Sequence, residues 1–438
     1  MTERPAGPFR TWTLDDGTTV PFYMIPFDEN GRCEAPATRA HLVAAARTGG
    51  PTHLYFFSHG WNNDWKAAVG HYERFAAGYL KLRRDRGLAM PAGYRPLLVG
   101  VFWPSTALVF GEEEQGPAMA GDDERVATEL QLVREIAARL PPDRVERFYD
   151  LAQRPGLDAA QSLELAALLS GTYATGADEL GATRAPSAEA LVRLWREAAA
   201  PTGVEESDLS RLDLLGEEWP QAASGILEAL DPRQVLRLAT VWQMKDRAGR
   251  VGANGVAALL RDLLGSCTAR THLIGHSYGV KVLLSATCAA PVPREVESML
   301  LLQGAVSHLC FADTVPGTSP PGSFRPALDR VVQPILATFS RRDFPLHTTF
   351  HLALRREQDL GEARIAAAGE PPSPYSALGA FGPRRCGETI TRIPEPGETY
   401  DRIPATRVVG LDATDAIRGH GDISNEWTWW ALYSQVSR

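Results

Sequence analysis

Cysteine is scarce and scattered in this chain. Cys33, Cys267, Cys288, Cys310 and Cys386 are odd in number and include no C-x-x-C pair. A disulfide framework and a zinc site are therefore not expected, and a reducing cytoplasm is the expected location. Positive charge is short as well. With a net charge of −8 and no long Lys/Arg cluster, the chain lacks the footprint of a nucleic-acid binder. No apolar run approaches the roughly 18 residues of a membrane span, so no integral membrane segment is expected. Met1-Thr2-Glu3-Arg4-Pro5 is not followed by the apolar core of a signal peptide. Gly249, Gly252 and Gly255 do not form a G-x-G-x-x-G after a strand, which removes a nucleotide reading. The acidic runs Glu112-Glu113-Glu114 and Asp122-Asp123-Glu124 lack the Asp/Asn/Gly spacing of a calcium loop and read as solvated loop. Neither a cofactor nor a metal is expected.

What is present is an ordinary globular composition, 44% hydrophobic and 22% charged. Its 438 residues suffice for one large domain with an insertion, or for two or three domains. Arg10–Leu14 and Thr19–Ile25 flank the turn signal Asp15-Asp16-Gly17 and read as a hairpin. A short helix near 37–47 leads to the buried-strand run His53–Phe57. Trp65, Val69, Tyr72, Phe75, Tyr79 and Leu82 then recur at helical spacing behind a capping Asp64. Leu97–Trp103 is a further strand. Strands resume at 271–274, 298–302, 334–339 and 407–411, which makes an α/β protein with a mostly parallel sheet flanked by helices. Trp427, Trp429, Trp430 and Tyr433 belong to a final helix packed on that sheet.

The rhythm stops between about 107 and 235. That stretch has helical apolar stripes, Val126-Leu130-Val133-Ile136-Leu140 and Leu165-Leu168-Leu169, and Ser187 stands ready to cap a helix carrying Leu191, Leu194 and Trp195. Pro141-Pro142, Pro186, Pro201 and Pro220 punctuate it. The expectation is a large helical cap insertion, 107–235, between two core segments, 1–106 and 236–438. The stretches 314–326 and 369–404 read as long surface loops.

Gly275-His276-Ser277-Tyr278-Gly279 carries the chemistry. It lies between the apolar strand Thr271–Ile274 and the apolar helical run Val280–Ala286, which is the context of a nucleophile elbow. There the chain reverses so sharply that the serine is strained and the residues two before and two after must be small. A serine hydroxyl needs a base, an acid to orient that base, and donors for an oxyanion. In the order Ser, Asp or Glu, His, the candidates are Ser277, then Asp343 beyond the strand 334–339, then His420 beyond the strand 407–411. Asp313 is the main rival acid, and Asp422 lies close in sequence to His420. His308, His347 and His351 fit the order poorly. Ser58-His59-Gly60-Trp61 ends an early strand and would place backbone amides beside the elbow. The amides of Trp61 and Tyr278 are the expected oxyanion donors, each worth about 3 kcal/mol in the transition state. His59 and His276 read as structural, the first through bonds to loop backbone, the second through packing.

Phe57-Ser58-His59-Gly60-Trp61-Asn62-Asn63, Phe102-Trp103-Pro104-Ser105 and the elbow together resemble the α/β-hydrolase superfamily. They are similar in particular to bacterial members with a His-Gly-Trp-Asn loop, a Trp-Pro-Ser strand end and a Gly-His-Ser-x-Gly elbow. The resemblance covers roughly 50–106 and 236–438 and not the helical insertion. It implies the α/β-hydrolase fold, a serine mechanism on Ser277 and, more loosely, the roles of Asp343 and His420. The expected function is hydrolysis of a carboxylic ester, small-molecule or lipid, through an acyl-enzyme. The competing reading is a hydrolase-like scaffold without activity whose insertion binds a protein partner of unknown identity.

Overall fold

The run His53–Ser58 is buried along its whole length, as expected of a strand covered on both faces. Its alternation sorts the core into two layers. Leu54 and Phe56 enter one cluster, Tyr55 and Phe57 the other, because successive strand side chains point to opposite faces. The computed structural model describes residues 6–14, 17–105, 133–134, 136–171, 187–199, 230–316, 321–349, 371, 373–400 and 406–438.

Among the described residues nine strands form one sheet. They are β1 (Arg10–Thr13), β2 (Thr19–Pro26), β3 (His53–Ser58), β4 (Pro96–Phe102), β5 (Arg270–His276), β6 (Ser298–Leu302), β7 (Ile335–Phe339), β8 (Thr389–Arg392) and β9 (Val408–Asp412). Their spatial order is β1-β2-β4-β3-β5-β6-β7-β9-β8. β1 pairs antiparallel with β2, as the hairpin reading expects, and all other pairings are parallel. Asp15 and Asp16 of the expected turn lie outside the described residues.

Helices cover both faces. They are α1 (Pro36–Thr48), α2 (Trp65–Asp85), α3 (Pro142–Ala152), α4 (Ala159–Ser170), α5 (Ala188–Ala199), α6 (Pro232–Arg250), α7 (Ala257–Ser266), α8 (Tyr278–Cys288), the single turn α9 (Leu378–Phe381), and α10 (Glu426–Val436). Asp64 caps α2 by accepting the Ala67 N–H at 2.7 Å, and the helix buries Val69, Tyr72, Phe75, Tyr79 and Leu82 against the sheet. α10 packs on α2, and its Trp427, Trp429, Trp430 and Tyr433 lie along the same cluster.

Of the expected insertion, α3, α4, α5 and the start of α6 are described. Leu165 and Leu169 are buried, and so are Leu191, Leu194 and Trp195 on the helix that Ser187 caps through Ala190 N–H. α3 and α5 pack on α6, and α6 packs on α8. Position 235/236 lies within α6, which is continuous across it. A π-helical stretch, Val251–Val256, carries α6 on toward α7. There Gly252 lies so close to α8 that a Cβ would stand 2.3 Å from the Val282 carbonyl oxygen. Val126, Leu130, the two acidic runs, Pro186, Pro201 and Pro220 lie outside the described residues.

The segment 369–404 corrects the loop expectation. It contains α9 and the edge strand β8, whose four residues alternate between half-buried and exposed. Thr389-Ile390-Thr391-Arg392 is too short, and too polar on its open face, to stand out as a strand in sequence. The 314–326 loop likewise closes into a 3-10 turn, Arg325–Asp329. No helix among the described residues is long and apolar enough to cross a membrane.

Candidate active site

Between β5 and α8 the chain turns on Ser277, whose φ of 54° and ψ of −125° put a non-glycine residue in a strained region. Such a conformation costs about 1–3 kcal/mol and persists only where the surroundings impose it. Here they do. The Ser277 N–H donates to the Leu302 carbonyl at 3.1 Å, and its own carbonyl accepts from Val280 N–H at 3.1 Å and Ala305 N–H at 3.2 Å. The flanking glycines have no room for a side chain. A Cβ on Gly279 would lie 2.0 Å from the Ser58 carbonyl oxygen, and one on Gly275 2.9 Å from the Val280 nitrogen.

Three side chains meet across 143 residues of sequence. Ser277 Oγ lies 2.8 Å from His420 Nε2, and His420 Nδ1 lies 2.8 Å from Asp343 Oδ2. A carboxylate only accepts, so Nδ1–H donates to Asp343 and Nε2 is left to accept the serine proton. Ser277 is 1% exposed and Asp343 0%, while the His420 side chain keeps 18%. Asp343 stands on the turn after β7, where Leu346 N–H donates to its Oδ1 at 3.2 Å. Ser340 Oγ reaches the Ile417 carbonyl at 2.7 Å and ties this turn to the loop that carries His420. The arrangement can take a proton from Oγ onto a neutral imidazole backed by a buried carboxylate.

The rival residues sit elsewhere. Asp313 is 59% exposed and ion-paired with Arg325. Asp422 accepts the Arg418 N–H in its own loop. His308 is buried with Nδ1 against the Ser376 carbonyl, and His351 lies outside the described residues. His347 does flank the acid, its backbone N–H donating to the Asp343 carbonyl.

Two participants were not legible in sequence. His276, read as packing, holds the His420 loop: its Nε2 lies 2.8 Å from the His420 carbonyl. Burial drives its imidazole well below the ordinary range, with His420 adding to the effect, so the ring is neutral and its Nε2–H donates. Gln303, directly after β6, donates from Nε2 to Asp343 Oδ2 at 2.8 Å. A polar residue closing the apolar run Ser298–Leu302 was the only signal for it.

The loop after β3 packs directly on the elbow. A Cβ on Gly60 would stand 3.1 Å from Ser277 Oγ, so the chain passes there only as glycine. Trp61 follows, and its ring lies 6.1 Å from that of Tyr278. His59 is structural, as expected. Its Nδ1 lies 2.9 Å from the Gly60 carbonyl, and its Nε2 accepts the Trp103 N–H at 3.3 Å. The Trp103 indole stacks on its ring at 5.5 Å and donates Nε1–H to its carbonyl. Ser105 closes the arrangement by accepting Asn62 N–H on its carbonyl and Asn63 N–H on its hydroxyl. This network holds Asn62 at a φ of 54°. The His-Gly-Trp-Asn and Trp-Pro-Ser stretches are thus two halves of one locked loop beside Ser277.

Among the described residues no three His, Cys, Asp or Glu side chains gather as a metal site. Compared with known families, curated proteins and solved structures, the chain gives no significant match to any of them.

Burial of the neutral histidines has a consequence for stability. Desolvation pushes both His59 and His308 down to about 4. The unfolded chain binds these protons near pH 6.5, so the stabilisation is complete above that value and is lost as pH falls toward 4. At pH 5 the loss is about 2 kcal/mol per histidine. Thermal unfolding is therefore expected at a distinctly lower temperature at pH 5 than at pH 7. A melting temperature that stays level or rises over that interval contradicts the assignment of neutral, buried rings.

Proposed function

We propose that the chain is a serine hydrolase of the α/β-hydrolase kind, cleaving a carboxylic ester through an acyl-enzyme on Ser277. The observation that carries this reading is the unbroken hydrogen-bond chain Ser277–His420–Asp343 at a strained strand-to-helix turn. The strand ends add support: serine, acid and base follow β5, β7 and β9, at the carboxyl edge where open parallel sheets bind ligands. A binding scaffold has no use for a strained, buried serine aimed at an imidazole.

In this mechanism Ser277 Oγ attacks the ester carbonyl carbon while its proton passes to His420 Nε2. The carbonyl π electrons move onto oxygen, and the amides of Trp61 and Tyr278 donate to the oxyanion. Collapse of the tetrahedral adduct expels the alkoxide, which takes the proton from His420 and leaves as the alcohol. Water then gives a proton to His420 and attacks the acyl carbon. The second collapse returns Oγ, with that proton, to Ser277 and frees the acid. Asp343 fixes the His420 tautomer and stabilises the imidazolium formed in both steps.

The described helices α3, α4 and α5, within the stretch 107–235, are assigned to a cap that restricts access to Ser277 in a cytoplasmic enzyme, with small or lipid esters as substrates. The cap is supported by α3 and α5 packing on α6, the neighbour of the elbow helix α8. The test is a panel of p-nitrophenyl esters of graded acyl length. Saturable release of p-nitrophenol with a preferred chain length is expected. Release from every ester at the uncatalysed rate contradicts the reading.

A further inference from the structure

We infer that Gln303 is a positioning residue for the proposed reaction, holding the carboxylate of Asp343 in the orientation that His420 requires. The inference rests on the serine-hydrolase reading and concerns a residue that never meets the substrate.

The direction of the Gln303 amide is fixed by its surroundings. Gln303 N–H donates to Thr338 Oγ1 at 3.1 Å, so the Thr338 proton is free to point to Gln303 Oε1, also at 3.1 Å. The amide oxygen is thereby committed to Thr338. The two Nε2 protons face two groups that only accept: Asp343 Oδ2 at 2.8 Å and the Gly379 carbonyl at 3.2 Å. Reversing the amide would set its oxygen against both of those acceptors, so the NH₂ is the group that faces Asp343 and Gly379. Gln303 is fully buried, out of reach of bulk solvent.

Two further facts separate this contact from ordinary core satisfaction. Asp343 Oδ2 accepts from Gln303 and from His420 at once, both at 2.8 Å, while Oδ1 is taken by Leu346 N–H. The carboxylate therefore cannot rotate about its own axis without breaking a bond. Gln303 also holds a φ of +46°, an unfavourable backbone conformation for a side chain of its size. Strain of this kind marks positions where the surroundings demand a particular residue direction. β6 and β7 are hydrogen-bonded neighbours, so the residue just past β6 is brought beside the turn that follows β7.

The experiment uses the full chain with Gln303→Leu and Gln303→Glu. For each, kcat and KM are measured on an ester that the wild type hydrolyses, together with the pH profile, the rate of fluorophosphonate labelling and the melting temperature. Leucine removes the donor and keeps the bulk. It is expected to lower kcat and labelling rate about 10- to 100-fold, the range for a hydrogen bond to a charged group, with KM changed less than about twofold. Glutamate decides the matter if the leucine variant does not fold. Two carboxyl groups at this separation share one proton, so Gln303→Glu keeps a donor toward Asp343 only while that proton stays. Its activity should fall as pH rises, along a limb absent from the wild type. His420 and His347, the other titratable groups facing Asp343, are common to both proteins and do not create that difference. Wild-type labelling rates and an unchanged pH profile in both variants overturn the inference and leave the hydrolase reading standing. A wild type that is itself inert to the probe overturns both.

Discussion

Ser277→Ala is expected to lower ester turnover about 10⁴- to 10⁶-fold, the scale on which a serine nucleophile acts together with its base. The fold should survive the change. Alanine keeps the Cβ that packs against Gly60 and gives up only the bond from Oγ to His420. It also keeps the strain, since any side chain at a φ of 54° meets it. Ser277→Gly would lose activity equally and gain roughly 1 kcal/mol or more from relief of that strain. Inactive variants ordered in this way in a thermal melt would mark the serine as a residue retained at a cost to stability. Activity near wild type in a folded Ser277→Ala protein excludes the assignment.

Asp343→Asn should cost about 10²- to 10⁴-fold in kcat, with a melting temperature lowered by a few degrees as a buried donor loses its acceptor. The asparagine oxygen can occupy the Oδ2 position, where His420 and Gln303 both donate, but its NH₂ would then confront the Leu346 N–H. Whichever way it turns, the anion that stabilises the imidazolium is gone. Asp313→Asn is the control. Its side chain is 59% exposed and pairs with Arg325 at the surface, an arrangement worth between zero and about 1 kcal/mol. Steady-state kinetics of the two variants side by side decide the acid: loss with Asp313→Asn and none with Asp343→Asn would move it.

How much of this was legible in the sequence depends on how far each signal reaches along the chain. The hairpin, the fully buried strands and α2 follow from local periodicity and caps, and all appear at the expected places. The elbow is local as well, since a glycine two residues away on either side is a steric requirement of the turn itself. The meeting of Ser277, Asp343 and His420 is long-range, yet it was anticipated, because a parallel sheet delivers successive strand ends to one edge. Gln303 and His276 were missed for a different reason. Each makes its decisive bond across the sheet, to Asp343 and to the His420 carbonyl, and no spacing rule encodes which polar residue after a strand turns toward its neighbour. The strand β8 was missed because four half-exposed residues carry too little apolar pattern.

Whether Ser277 is an activated nucleophile is tested most directly by covalent labelling. Purified protein is treated with a fluorophosphonate at neutral pH, digested and examined by mass spectrometry. One adduct per chain is expected, on the peptide containing Gly275–Gly279 and on Ser277 itself, absent from Ser277→Ala and strongly slowed in Asp343→Asn. A protein that stays unlabelled while folded, or one labelled at another residue with Ser277 untouched, would contradict it.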